Sequence, residues 1–323
     1  MTGAGEASPA APFGDRLAAA VARRESQLVL GIDPDPERLW PAAATAAAAD
    51  PRLAAAETAA TGAPASAARL ELAAAVLAHC RALIEAAAPA CVAAKPQLAC
   101  FERLGFAGWL ALEAVVAHAR AHGLLVIADA KRGDFPGTAR AYAQAAFGGV
   151  AGPQSGLGAD AVTQNPLLGE DALAPFVAGA RADGAGVFVL VRTSNPGAAD
   201  FFDLELAAGG PLWERMAALV AASGRPGPAS GLADVGAVCG ATAPEHLERM
   251  RTLMPHAPFL LPGIGAQGGS VAALAPAFAP GRAAALVSAS RSIADAHSAA
   301  GGDPAAAARA EAERLRDAAW ALA

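Results

Sequence analysis

"LLVIADAKRGDF", residues 124–135, is an apolar run that ends in charge. Its first half has the unbroken hydrophobicity of a parallel strand covered on both faces. Its second half sets Asp129, Lys131 and Asp134 within six positions. A strand that is buried along its length and charged only at its C-terminal end belongs to an α/β barrel or an open doubly wound sheet, where ligands sit at that edge. The number of such units in the chain decides between the two.

Working outward, "QLVLGID" (27–33) and "CVAAKPQ" (91–97) precede this run and read the same way. "ADAVTQN" (159–165), "AGVFVLVRT" (185–193), "VGAVCG" (235–240), "PFLLPG" (258–263) and "AAALVSAS" (283–290) follow it. Between them the pattern predicts helices at 69–88, 106–123 with Gly123 as the stop, 136–146, 169–182, 211–223, 244–254, 269–278 and 304–322. An amphipathic segment at 13–25 precedes the first strand. Eight βα units predict a (β/α)8 TIM barrel, α/β in class, as a single domain over 13–323. Residues 1–12 are small and Pro-containing and read as a loose N-terminal segment. Residues 41–68 are rich in Ala, Thr and Pro with little periodicity and read as an irregular insertion.

The 323 residues carry a formal net charge of −6, which argues against a nucleic-acid surface or a polybasic membrane anchor. The stretch from Leu70 to Ala94 is apolar but carries Glu71, His79, Arg81 and Glu85, so no membrane span is expected. No secretory signal is read at the N-terminus, and the four cysteines form no CxxC pair, so a reduced, cytoplasmic protein is expected. His118 and His122 stand four residues apart without a flanking acid or cysteine, and no metal site is read there.

Of 24 basic residues only two are lysines, Lys95 and Lys131. Arginine hardly ever releases its proton, whereas lysine is a compact ammonium that can. A chain that otherwise writes arginine marks these two as positions where an amine is required. Both fall at C-terminal strand ends, where Asp33, Gln97, Asp129, Asn165, Thr193, Ser194, Pro262, Ser290 and Arg291 also gather. Side chains at i and i+2 on a strand share a face, so Asp129 and Lys131 should point the same way, with Lys95 in reach on the neighbouring strand. "LLPGIGAQGG" (260–269) contains GxGxxG, but it lies in the seventh unit and the next strand ends without a ribose-binding acid. Followed by "SASRSI", it suits a barrel phosphate site made by the loops after strands seven and eight. There Arg291 offers a bidentate fork, Gln267 an amide, and Ser290 a backbone N–H.

"DAKRGD" with "GIDPD", "AKPQLACFERLG", "TQNPLLGEDAL", "TSNPGA", "VCGAT", "PGIGAQGG" and "SASRSI", in that order, resembles the orotidine 5′-phosphate decarboxylase family, in its longer bacterial branch. The likeness runs from about Leu30 to Ile293. It implies a homodimeric barrel that decarboxylates orotidine 5′-phosphate to uridine 5′-phosphate within de novo pyrimidine biosynthesis, with no cofactor and no metal. By matching motif, Lys131 would donate a proton to C6, Asp129 would stand near the departing carboxylate, and Lys95 would bridge Asp129 and the ribose. Asp134 and Thr138 would come from the partner subunit. Asp33 would bind ribose hydroxyls, Ser194 the pyrimidine, and Pro262 and Gln267 would belong to the closing loop. Arg291, with Ser290 beside it, would hold the phosphate. Phe135 departs from the pattern, standing where an aliphatic residue is usual. Two other readings remain open at this point. A Mg²⁺-dependent sugar-phosphate lyase would need a further acid near the motif, for which Glu102 is the nearest candidate. A non-catalytic nucleotide-phosphate binder would have no use for the two lysines.

Overall fold

The computed structural model describes residues 11–46, 51–64, 66–150, 155–264 and 269–322. Eight parallel strands close in sequence order, with the first pairing the last. They are β1 (Leu28–Ile32), β2 (Ala93–Pro96), β3 (Leu125–Arg132), β4 (Ala161–Gln164), β5 (Gly186–Arg192), β6 (Val235–Cys239), β7 (Phe259–Pro262) and β8 (Ala285–Ala289). The (β/α)8 barrel read from the eight apolar runs is therefore present, and the third strand runs two residues beyond its expected end, into the charged motif.

The helices flanking the barrel strands are α1 (Phe13–Arg24), α2 (Ala67–Ala87), α3 (Gly105–Ala121), α4 (Pro136–Ala146), α5 (Glu170–Ala182), α6 (Leu212–Ser223), α7 (Leu247–Leu253) and α8 (Pro304–Trp320). Their ends follow local chemistry. Gly123 takes φ +71° just past α3, a left-handed turn that favours glycine. Asp303 caps α8 by accepting from Ala306 N at 2.9 Å, with Pro304 in the first turn. Three expectations are corrected. The 41–68 stretch is not irregular: it holds helices Pro41–Ala46 and Pro51–Thr61. The 269–278 segment is a 3-10 helix, Val271–Phe278, interrupted by Pro276, and 244–254 begins with a 3-10 turn, Pro244–His246. Of the N-terminal segment 1–12, all but Ala11 and Pro12 lie outside the described residues.

Strand alternation sorts the core into two shells. Val29, Ala93, Ile127, Ala161, Phe188, Val238, Leu260 and Leu286 point inward and pack on Phe13, Leu17 and Val21 of α1, which plugs the lower end of the barrel. Their neighbours Leu28, Leu30, Val126, Val162 and Val187 face outward under the helices. One pleat further up the same inward rows stand Lys95, Asp129, Thr163, Pro262 and Ser288, each two residues beyond an inward apolar residue. The barrel's polarity change is thus built into the strand parity. Among the described residues no helix is long and apolar enough to cross a membrane.

Candidate active site

Asp129 is the centre of the upper layer, buried at 4% exposure. Lys95 Nζ lies 2.5 Å from its Oδ2 and Lys131 Nζ 2.6 Å from its Oδ1. Thr163 donates its hydroxyl to the same Oδ1 at 2.8 Å. Burial alone would neutralise this carboxyl, but the two ammonium groups outweigh it and hold Asp129 well below the ordinary carboxylate range. Burial likewise works against the charge on Lys95, and Asp129 followed by Asp33 overcomes it, so the Lys95 ammonium is held above its ordinary value. Both sequence-marked lysines therefore stand on one buried anion.

The two reach it differently. Lys95 is buried on β2, whereas the Lys131 side chain remains two-fifths exposed toward the mouth of the barrel. Lys131 also takes φ +48°, a left-handed conformation that costs an L-residue other than glycine about 1–2 kcal/mol. Pairing between β3 and β4 matches Ala128 with Val162 and then Arg132 with Gln164, four steps on one strand against two on the other. Asp129 and Lys131 do converge, but through this bulge rather than along a flat strand. Ala130 between them packs toward the outer core, as strand parity predicts.

Around this array the barrel mouth holds Asp33, Ser194, Pro262, Ser290 and Arg291. Asp33 is exposed directly after β1, and with Ser290 and Arg291 after β8 it lines one small cavity. The two strands approach closely there: a Cβ on Gly31 would lie 2.6 Å from the Cβ of Ser290, so only glycine fits. Arg38 salt-bridges Asp295 at 2.6 Å, and Trp40 donates its indole N–H to Ala294 O at 2.9 Å, joining the loop after β1 to the turn Arg291–Ala294. Behind Trp40, buried His79 of α2 accepts the Trp40 backbone N–H at Nδ1, 3.1 Å away. Ser194 is half-buried after β5, in a loop held by a bidentate Arg192–Asp203 pair at 2.8 Å and 2.8 Å. Pro262 closes β7 and is half-buried, while Gln267 lies outside the described residues.

Asp134 and Thr138 do not join the array within the chain. Asp134 accepts from Phe135 N at 2.8 Å, and Thr138 is exposed on the first turn of α4. Glu102, the acid nearest the motif, is bonded to Arg132, whose guanidinium also stands over the Tyr142 ring at 5.4 Å. Sequence reasoning missed Thr163, although Asn165, two residues on and of the same strand parity, was singled out. It also missed Arg38, Trp40 and His79, whose contacts are made across 257, 254 and 39 residues of chain.

An array of two ammonium groups on one buried carboxylate can stabilise developing negative charge and deliver a proton. Comparison with known proteins gives the same direction. A Rhodopirellula baltica protein named orotidine 5′-phosphate decarboxylase is 40% identical over 286 residues, covering 88% of this chain and 89% of its own length. One of the same name from Verminephrobacter eiseniae is 39% identical over 309 residues, covering 94% and 96%. The structure titled Leishmania donovani OMP decarboxylase superposes with a TM-score of 0.68 at 32% identity, covering 96% of this chain and 98% of that one. The model of the orotidine 5′-phosphate decarboxylase / HUMPS family matches residues 26–310, and with that span and these identities the chain belongs to this family.

Proposed function

We propose that this chain converts orotidine 5′-phosphate to uridine 5′-phosphate and carbon dioxide without a cofactor or metal, in pyrimidine nucleotide synthesis, with Lys131 as the proton donor to C6. The carrying observation is the buried Asp129 carboxylate bracketed by Lys95 and Lys131 at 2.5 Å and 2.6 Å.

Loss of carbon dioxide leaves a localised carbanion at C6. A fixed ammonium beside it stabilises the charge as it develops and then quenches it by proton transfer, so no external electron sink is needed. Asp129 keeps Lys95 charged and both lysines aimed, and its own charge faces the substrate carboxylate that must depart. Lys95, anchored on the other Asp129 oxygen, reaches toward the ribose beside Asp33. Ser194 meets the pyrimidine, and Pro262 and Gln267 belong to the loop that covers base and phosphate. Arg291 grips the phosphate with Ser290, and that remote contact supports the chemistry by fixing the reacting atoms.

The working unit in this proposal is a homodimer in the cytoplasm. Asp134 forms no ion pair among the described residues and stands next to Phe135, which is 71% exposed. Beside them a largely apolar groove lies between α4 and α5, lined by Ala143, Ala174, Pro175 and Ala178. A second copy seated there would carry its Asp134 and Thr138 to the neighbouring array. The decisive assay follows the fall in ultraviolet absorbance of orotidine 5′-phosphate with and without a chelator. Turnover undiminished by chelator supports the proposal; turnover abolished by it favours a metal-dependent lyase, and tight binding of uridine 5′-phosphate without turnover favours a binding protein.

A further inference from the structure

We infer that Thr163 is a positioning residue for the proton donor, and that its hydroxyl is what holds Lys131 in its left-handed backbone with its ammonium on Asp129. This inference rests on the assignment of Lys131 as the donor. Three independent observations meet at Thr163. The register between β3 and β4 slips by two residues across Ala128–Arg132, which takes the Lys131 amide out of the regular ladder. Lys131 N instead donates to Thr163 Oγ1 at 3.0 Å. The same oxygen donates its proton to Asp129 Oδ1 at 2.8 Å, the atom to which Lys131 Nζ donates at 2.6 Å.

The result is a closed ring of hydrogen bonds. It runs from the Lys131 amide to the Thr163 hydroxyl, on to the Asp129 carboxylate, and back through the Lys131 ammonium. A hydroxyl can accept a hydrogen bond from a backbone amide and, at the same atom, donate one to a carboxylate. Thr163 is 1% exposed, so water cannot stand in for it without a cavity. Its β-branched shape fits a strand, and its orientation is fixed by both bonds. Without the hydroxyl the bulged amide has no acceptor, and the strained conformation that aims Lys131 loses its support. The ring acts on the geometry of the ammonium, not on the phosphate or ribose contacts, which come from other strands.

The test replaces the hydroxyl and keeps the shape. Thr163→Val should lower kcat about ten- to a hundredfold, the range for removing a buried hydrogen bond to a charged group. Binding of uridine 5′-phosphate should stay within about twofold of wild type, because the phosphate and ribose contacts are untouched. Thr163→Ser, which restores a hydroxyl, should recover kcat to within about threefold. If Thr163→Val does not fold, Thr163→Ala against Thr163→Ser carries the same comparison, with serine faster by at least about tenfold. A Val or Ala variant with wild-type kcat overturns the inference, as does a loss of nucleotide binding that parallels the loss of rate. Lys131→Ala is the control. If it too keeps its rate, the donor assignment has failed; if it is dead while Thr163→Val is fully active, only the role of Thr163 has failed.

Discussion

Lys131 and Asp129 are two residues apart on one strand, yet their ion pair at 2.6 Å closes with Lys131 turned to φ +48°. The Lys131 ammonium is thereby held from two sides, by its own bent backbone and by a carboxylate that Lys95 anchors from β2.

Lys131→Ala should remove nearly all turnover, a fall of about a thousandfold or more where proton donation and charge stabilisation are lost together. Binding of uridine 5′-phosphate should remain measurable by calorimetry, because Arg291 and Ser290 stand on a different part of the barrel mouth. Wild-type turnover in this variant would refute the donor role.

If Asp134 serves the neighbouring subunit, two inactive proteins should repair one another. Mixing Asp134→Ala with Lys131→Ala, with subunit exchange, should give hybrid dimers with one intact site in two. Activity should rise toward about a quarter of the wild-type level at equal, random mixing. Heterodimers shown by mass spectrometry to form, but without activity, would sink the shared site.

His79 supplies a pH prediction. Burial pushes its pKa down to about 4 from the ordinary 6.5, with Asp295 opposing and His297 adding to the shift. The unfolded chain therefore binds the proton that the folded chain refuses between these values. Stability from this group is complete above pH 6.5, falls as the pH drops toward 4, and is level below that. The loss amounts to about 3 kcal/mol. His79→Gln keeps an acceptor for Trp40 N without the titration, so its urea-unfolding free energy should fall less than that of wild type between pH 7 and pH 4. Parallel slopes in the two proteins would contradict the assignment.

Arg251 is buried and has no carboxylate partner among the described residues. It donates to the carbonyls of Met254, Ala257, Ala277 and Ala284 at 2.7–3.0 Å and stands 3.7 Å from the Phe259 ring centre. Burial lowers its pKa to about 10. Arg251→Met should cost about 3 kcal/mol or more in urea unfolding, because buried carbonyls at the lower end of β7 and β8 lose their donors. The kcat of the folded fraction should be unchanged, since the residue stands at the far end of the barrel from Asp129.

The barrel was legible because fully buried parallel strands leave unbroken apolar runs, and each of the eight did. The two lysines were legible because the chain is otherwise written in arginine. The bend at Lys131 was not, since it depends on a register slip against a strand whose pairing begins 34 residues away in Ala161 and Val162. The helices Pro41–Ala46 and Pro51–Thr61 escaped because an alanine-rich helix with mostly exposed sides has no apolar stripe to reveal it. Thr163 was hidden by its ordinariness: a threonine in a strand needs no special explanation until its hydroxyl partners are seen.

The strands also divide the site by chain order. Asp33, Lys95, Asp129, Lys131 and Thr163 all come from β1 to β4, whereas Ser194, Pro262, Ser290 and Arg291 come from β5 to β8. One half-barrel holds the charged array, and the other holds the residues proposed to grip base and phosphate. The seam where first and last strands meet is fastened at its mouth by Trp40 on Ala294 and Arg38 on Asp295. During synthesis, then, the charged array is spelled out before residue 164 leaves the ribosome, but the residues proposed to grip base and phosphate follow only later, and the ring is latched once the last strand is made.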